Sequence, residues 1–477
     1  MSMKTQRIFA MFEMNPILRV DSYKFSQFDQ IPPGTTVINS YIESRGGDFE
    51  MNVMFGLQAL IKTVLMRRLT ADDVAEAQAV ATAHGLPFNR AGFDRIVNVH
   101  GGRWPVVIEA VPEGTVLPTR NVLVQIRNTD PEAAWATSFL ETQLLRAVWY
   151  GTTVASLSWK CKQMILAALR KSSMDPDGQI MFKLHDFGAR GVSSGEGAML
   201  GGMAHLVNFM GTDTVEALVG ARRLYGAEMA GFSIPAMEHS TVTSWGRDGE
   251  AAAFGNMMDK YARPGALLAC VSDSYDLWNA VSNIWGDTLR ERVLQSGATI
   301  VVRPDSGDPL TVPIKVIELL GERFGFQVNQ KGYKVLPSCV RVIQGDGITV
   351  NSIPVILDNL LQAGWSADNL AFGMGGGLLQ MVNRDTMKFA MKANAMQIGG
   401  EWKAVFKDPI TDPGKTSKKG VLSLTRSNGI GSSRWRTIRR SELHTGEVDQ
   451  LVKVFENGEL LVDQTLDQIR QRSTQPV

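Results

Sequence analysis

Several stretches of this sequence place charged, aromatic and glycine residues where apolar runs end, the positions from which side chains and backbone can do chemistry. Arg303-Pro304-Asp305-Ser306-Gly307-Asp308 sets a guanidinium and two carboxylates on one loop, a combination that can hold a sugar diol, a metal ion or a phosphate. The alternative is an internal Arg–Asp salt bridge that only shapes the turn. Gly373-Met374-Gly375-Gly376-Gly377 follows an apolar run, and glycines there let backbone N–H groups approach an anion. His239 follows Glu238 and has no HxxxH partner, which argues against zinc. A lone histidine is more often a structural hydrogen-bonder, but its place at a strand end favours a chemical role. Asp273 and Asp276 lie in SDSYD, and Asp273 is placed either to cap the next helix or to serve a site. Phe187 and Arg190 share a loop, an aromatic face beside a cation, which suits a flat ring next to a phosphate; core packing of Phe187 is the alternative. Asp21-Ser22-Tyr23-Lys24 reads as an ordinary polar turn.

These groups need elements that deliver them to one place. From about Gln179 the chain repeats a unit in which an apolar strand ends in a polar loop and an amphipathic helix follows. The expected strand ends are Leu184, Phe209, Ile234, Val271, Val302, Ile343 and Phe372. Between the expected strands Ile180 to Leu184 and His205 to Phe209, Ser193 and Glu196 have the spacing of a capping box that opens a helix. Val215, Leu218 and Val219 share one helical face, and Val316, Leu320 and Phe324 share another. Such alternation argues for parallel βαβ units closed into a barrel, whose chemistry collects at the C-terminal strand ends. Gly345-Asp346-Gly347 and the glycine run then follow the last strands, where barrels often hold phosphate.

The flanking segments differ in texture. Thr36 to Ile42, Trp104 to Pro112 and Val122 to Ile126 read as strands, with helices over Leu57 to Leu69 and Ala71 to Thr82. After Asn383, Met387 to Met391 and Trp402 to Phe406 return to strand-like alternation, followed by the basic loop DPITDPGKTSKKG. The expectation is an α/β protein with an irregular α/β barrel over 176–385. A second mixed, largely antiparallel domain is expected from 1–175 and 386–477.

Composition narrows the function classes. The 477 residues are 44% hydrophobic, and 49 basic against 48 acidic residues leave a net charge of +1. No global field recruits nucleic acid or a membrane surface, so a small phosphorylated ligand is the better fit. Cys161, Cys270 and Cys339 show no CxxC spacing, which points to a reducing compartment rather than a disulfide framework. No apolar window is long enough to span a membrane, and the N-terminal patch interrupted by Glu13 is too short for a secretory segment. A cytoplasmic location is expected.

HDFGARGVSS, HLVNFMGTDT, SIPAMEHST, VSDSYD, RPDSGDPL, VIQGDG, FGMGGGLLQ and FKDPITDPGKTSKKG, in this order, resemble the nicotinamide phosphoribosyltransferase family. The resemblance runs from DSYK to VFENGEL and is weakest before Pro16, between Leu69 and Asn98, and from Asn428 to Glu447. It implies a type II phosphoribosyltransferase fold working as a homodimer with shared active sites. The implied reaction joins nicotinamide to 5-phosphoribosyl 1-pyrophosphate with Mg²⁺, giving nicotinamide mononucleotide and pyrophosphate for NAD salvage. By resemblance, Phe187 and Tyr23 of the partner subunit sandwich the pyridine ring. Asp213 accepts from the carboxamide, and Arg190 lies between ring and phosphates. Arg303 and Asp305 hold the ribose, with Gly345, Asp346, Gly375 and Gly376 around the sugar and 5′-phosphate. The partner subunit's Arg45, the partner subunit's Arg384, the partner subunit's Lys392 and the partner subunit's Lys407 reach the phosphates. ATP phosphorylates His239, which Asp273 orients; the Mg²⁺ ligands are not identified by the resemblance.

Asp213 also separates the nearest relatives. A nicotinate carboxylate would face like charge there, whereas an amide N–H₂ gains a charge-assisted hydrogen bond. Ala189, Gly195, Ala269 and Met374 depart from the family pattern, and Ala189 and Ala269 bear on pocket width. Other readings are a nicotinate-using enzyme, a non-catalytic phosphosugar or nucleotide sensor on the same fold, and an extracellular signalling protein. The presence of His239, Asp305 and the glycine run speaks against the sensor, and the lack of a signal peptide against designed secretion.

Overall fold

In the computed structural model, residues 14–429 and 432–475 are described. The N-terminal patch considered above as a secretory segment lies outside them. The chain divides into two compact units. One takes the described part of Met1–Ser156 with Leu224–Gly226 and of Asn383–Val477; the other takes Leu157–Arg223 and Ala227–Val382.

The second unit is built on a six-stranded parallel sheet. Its order is Gly211–Thr212, Leu184–Asp186, Leu370–Met374, Val340–Gln344, Thr299–Arg303, Leu267–Val271. Strands covered on both faces read as near-continuous apolar runs, and TIVVR at Thr299–Arg303 is one. The segment around Ile234 is not a regular strand. It joins both sheet edges through single parallel bridges, Phe232 to Gly211 and Ala236 to Ala269, and so curls the sheet into an irregular barrel. Ala269, Val301 and Ile343 form a buried layer, with Phe187, Ile234 and Ala371 packed on it.

Some local expectations are corrected. His205 to Phe209 is not a strand: His205 ends the helix Gly195–His205, and the strand begins only at Gly211. A short apolar run fits a buried helix end as well as a strand, and here His205, Leu206, Val207 and Phe209 are all buried. The helix is capped by Ser194, whose side chain accepts from Gly197 N–H, one residue later than the Ser193 box. On the helix Val215–Tyr225, Val215 and Val219 are exposed while Ala217 and Ala221 are buried. Small residues won that face because the neighbouring helix comes close: a Cβ on Gly202 would lie 2.6 Å from Ala217 Cβ, and one on Gly220 2.6 Å from Met199 Cγ. On Val312–Phe324 the expected face is buried, through Val316, Leu320 and Phe324.

The first unit holds a seven-stranded sheet. It runs Glu401–Ala404, Phe389–Ile398, Thr35–Ser44, Val122–Asn128, Val106–Ala110, Val452–Glu456, Glu459–Leu460, every pair antiparallel. Its centre is pinned by a buried amide ladder in which Asn39 Nδ2 donates to Gln125 Oε1 at 3.0 Å and Asn394 Oδ1 at 2.8 Å. Buried amides satisfied across strands fix register, because a one-residue slip would orphan them.

Candidate active site

At the C-terminal ends of the parallel strands a cavity of about 450 Å³ is lined by Phe187, Ala189, Arg190, Asp213, Glu238, His239, Ser240, Arg303 and Asp305. Phe187 follows the strand Leu184–Asp186, and its N–H donates to Met374 O at 3.0 Å. The turn is held by buried Asp186, which accepts from Gly188 N–H at 2.7 Å and from the Thr212 hydroxyl at 3.2 Å. Burial raises the Asp186 pKa, against those hydrogen bonds. The Phe187 ring has room because glycines lie beneath it, Gly373 within the strand Leu370–Met374 and Gly345 just past the strand Val340–Gln344. A Cβ on Gly373 would sit 2.0 Å from Phe187 Cε2, and one on Gly345 3.1 Å from the same atom. Ala269, a departure from the family pattern, belongs to the apolar layer under the ring, and Ala189 lines the cavity itself.

Asp213 stands just past the strand Gly211–Thr212, its side chain 42% exposed. His185 Nε2 lies 2.8 Å from Asp213 Oδ1, and the Ser233 hydroxyl donates to the same oxygen. Burial works to raise the Asp213 pKa. The His185 contact, the Ser233 hydroxyl and the Arg303 charge outweigh it and hold the carboxyl below its ordinary value. The carboxylate form is therefore the one presented to the cavity.

His239 begins a short helix, His239–Thr243, and its Nε2 lies 2.8 Å from Asp273 Oδ1. The imidazole is 45% exposed and the Asp273 side chain 4%. Asp276, not Asp273, caps the following helix, accepting from Trp278 and Asn279 N–H. Arg303 and Asp305 form the anticipated ion pair, loosely, at 3.6 Å, and Arg303 Nε is buried without a partner among the described residues. Asp308 shapes the loop, accepting from Leu310 N–H and the Thr311 hydroxyl. Gly345 comes close to Asp305, a Cβ there lying 3.3 Å from Oδ1, while the Asp346 carbonyl accepts from Gln344 Nε2 at 2.9 Å. Gly375 precedes the turn Gly376–Leu379, and a Cβ on Gly191 would approach Gly376 N to 3.2 Å. The HDFGARG loop and the glycine run thus meet backbone to backbone.

The other candidates lie in the first unit. Arg45 Nε donates to Glu43 at 3.0 Å and its Nη2 is buried without a partner among the described residues. Lys392 sits on Phe389–Ile398, opposite Tyr41. Burial lowers the Lys392 pKa, aided by the nearby charges of Arg45, Lys24 and Lys407 and opposed by Glu141. Arg45, Lys392 and Lys407 are therefore one cationic cluster. Tyr23, 54% exposed, borders it through its neighbour Lys24, which ion-pairs with Glu141. Arg384 is paired with Asp385 at 3.0 Å.

Sequence reasoning missed His185, Ser233 and Lys24. His185 had a usable signal, since residues i and i+2 of a strand share a face and His185 precedes Phe187 by two. Ser233 had none, because its segment is not a regular strand. No group of three or more His, Cys, Asp or Glu side chains able to hold a metal occurs among the described residues, and none of their helices is long and apolar enough to cross a membrane.

Comparison with known proteins identifies the family and the fold. Residues 182–459 match the nicotinate phosphoribosyltransferase family, and residues 15–108 match the nicotinamide phosphoribosyltransferase N-terminal domain. A nicotinamide phosphoribosyltransferase of Xanthomonas campestris pv. campestris is 54% identical over 96% of this chain and 97% of its own. One of Acinetobacter baylyi is 31% identical over 97% and 98%. Among solved structures, nicotinate-nucleotide pyrophosphorylase from Pyrococcus furiosus superposes with a TM-score of 0.61 at 15% identity, covering 98% of this chain and 97% of that one. Human nicotinic acid phosphoribosyltransferase gives 0.61 at 18%, covering 95% and 92%. At those identities the two structures establish the fold, that of the type II phosphoribosyltransferases.

Proposed function

This chain belongs to the nicotinamide phosphoribosyltransferase family, and from that premise we propose how its own residues carry the reaction. It transfers the 5-phosphoribosyl group of phosphoribosyl pyrophosphate to nicotinamide, giving nicotinamide mononucleotide and pyrophosphate for NAD salvage. The observation that carries the base assignment is Asp213, a carboxylate with one oxygen held by His185 and Ser233, standing at the cavity that Phe187 lines. The free oxygen accepts the carboxamide N–H while the pyridine stacks on Phe187. The pyridine nitrogen already has a lone pair, so no general base is required. As the C1–N bond forms, the C1–O bond to pyrophosphate breaks and its electrons leave with pyrophosphate. The residues' work is positioning and charge. Arg190, Arg303 and Asp305 hold the sugar and its phosphates, with Gly345, Asp346, Gly375 and Gly376 offering backbone at close approach.

Magnesium fits the donor set here in one way. Mg²⁺ is commonly bound by one or two carboxylates together with substrate phosphates, and Asp305 presents one carboxylate to the cavity. When bound, the ion supplies charge neutralisation at the departing pyrophosphate.

His239 is proposed as a phosphoryl acceptor. With Nε2 committed to Asp273, Nδ1 is the nitrogen left to attack the terminal phosphorus of ATP, releasing ADP; water later takes the phosphoryl group as inorganic phosphate. A homodimer is proposed as the working form, with the partner subunit's Tyr23 against the base. The partner subunit's Arg45, the partner subunit's Arg384, the partner subunit's Lys392 and the partner subunit's Lys407 would then meet the phosphates. The test is nicotinamide mononucleotide formation with and without ATP, for wild type and His239→Ala. ATP should accelerate the wild type and leave His239→Ala at its ATP-free rate; equal acceleration of both would remove His239 from the coupling.

A further inference from the structure

Asp213 is not free to choose its orientation. Both donors that reach it, His185 Nε2 and the Ser233 hydroxyl, converge on Oδ1, which leaves Oδ2 as the oxygen available to a ligand. Because the Asp213 carboxyl is held below its ordinary pKa, it accepts, so His185 Nε2 must carry the shared proton. The imidazole is itself clamped. It lies on the strand Leu184–Asp186 with its side chain 14% exposed, its ring centre 5.2 Å from that of Phe187. On its other side Gly211 comes so near that a Cβ there would be 2.7 Å from His185 Nδ1. One ring therefore touches both halves of the base pocket, the aromatic platform and the acceptor.

We propose that His185 is a positioning residue for base recognition: it aims Asp213 Oδ2 at the nicotinamide carboxamide and braces Phe187, and so sets how strongly nicotinamide is preferred over nicotinate. This rests on the reading of Asp213 as the carboxamide acceptor. Without the Nε2–H, Asp213 keeps its charge and still repels nicotinate but loses its fixed direction. The preference then falls from the nicotinamide side alone.

The test compares His185→Leu, His185→Gln and Asp213→Asn in steady-state kinetics with nicotinamide, nicotinate and phosphoribosyl pyrophosphate. In His185→Leu the nicotinamide KM should rise about tenfold, the scale of one hydrogen bond to a charged acceptor, with the phosphoribosyl pyrophosphate KM and the melting temperature unmoved. In His185→Gln, whose amide N–H₂ reaches the place of Nε2, most of that loss should be restored. Should His185→Leu fail to fold, His185→Asn, too short to reach Oδ1, is read in its place. An unchanged nicotinamide KM in the donor-less variant overturns the proposal. So does a loss that His185→Gln shares in full, with both substrates and the melting temperature affected together, because that is a structural role. Asp213→Asn separates the two layers: if it leaves the nicotinamide KM unchanged, the carboxamide reading itself has failed. If it raises that KM while His185→Leu does not, only the positioning role has failed.

Discussion

Gly373→Ala is the smallest change that should cripple base binding without touching any polar group. The added Cβ would stand 2.0 Å from Phe187 Cε2 and 2.3 Å from Cδ2, where carbon atoms in contact keep about 3.5 Å. Gly373 lies within the strand Leu370–Met374 and pairs with His185, so its backbone cannot easily retreat. Nor does it have a positive φ, so alanine adds no backbone strain of its own. The ring must give way by about 1.5 Å, and a misplacement near 1 Å costs roughly 10²-fold in rate. That corresponds to about 2.7 kcal/mol of transition-state binding. The assay is kcat/KM for nicotinamide at saturating phosphoribosyl pyrophosphate, with the KM of the latter measured in parallel and a melting curve to confirm folding, since overpacking also costs stability. A folded Gly373→Ala protein whose kcat/KM for nicotinamide drops less than about threefold would refute the role of Phe187 as the base platform.

Other expectations follow from the same geometry. Asp273→Asn should abolish the ATP stimulation while leaving the ATP-free rate near wild type, read as rates with and without ATP; retained stimulation would detach Asp273 from His239. Mixing His239→Ala, which lacks ATP stimulation, with a weakly active Lys392→Ala protein should restore ATP-stimulated activity if the phosphate-binding lysine comes from the partner subunit, and mixtures no more stimulated by ATP than their parents would argue against shared sites. Glu113 is buried, accepts from Gly56 and Gln58 N–H, and burial pushes its pKa up to about 7. Between the ordinary glutamate value and 7 the folded state binds more protons than the unfolded one. Stability therefore falls as pH rises through that window, by about 3 kcal/mol once pH exceeds 7. Glu113→Gln should thus raise the melting temperature more at pH 8 than at pH 5, and an equal shift at both would contradict the titration.

The barrel was legible because its longer strands, such as Leu267–Val271, Thr299–Arg303 and Leu370–Met374, are apolar runs that stop at polar loops, whereas the short strands Leu184–Asp186 and Gly211–Thr212 carry little such signal. The helix Val312–Phe324 was legible for a similar reason, its large apolar residues marking the buried face. Val215–Tyr225 misled because close helix packing put Ala217, Gly220 and Ala221 inside and left Val215 and Val219 out; periodicity counts large side chains and overlooks small ones. Cavity residues such as Phe187, Arg190 and Asp305 follow from strand ends alone. The link from His185 to Asp213 does not, since it joins neighbouring strands through the pairing of His185 with Gly211. The cationic cluster of Arg45, Lys392 and Lys407 was likewise invisible as pattern, because it is assembled by the pairing of Thr35–Ser44 with Phe389–Ile398 across most of the chain.

Base choice is the most direct test of the reading built on Asp213. The measurement is kcat/KM for nicotinamide and for nicotinate with the same wild-type protein, phosphoribosyl pyrophosphate, Mg²⁺ and ATP. A carboxylate against Asp213 meets like charge worth several kcal/mol, so nicotinamide should be favoured by at least about 10²-fold. Nicotinate used equally well or better would contradict the assignment of Asp213 and, with it, the reading of the pocket.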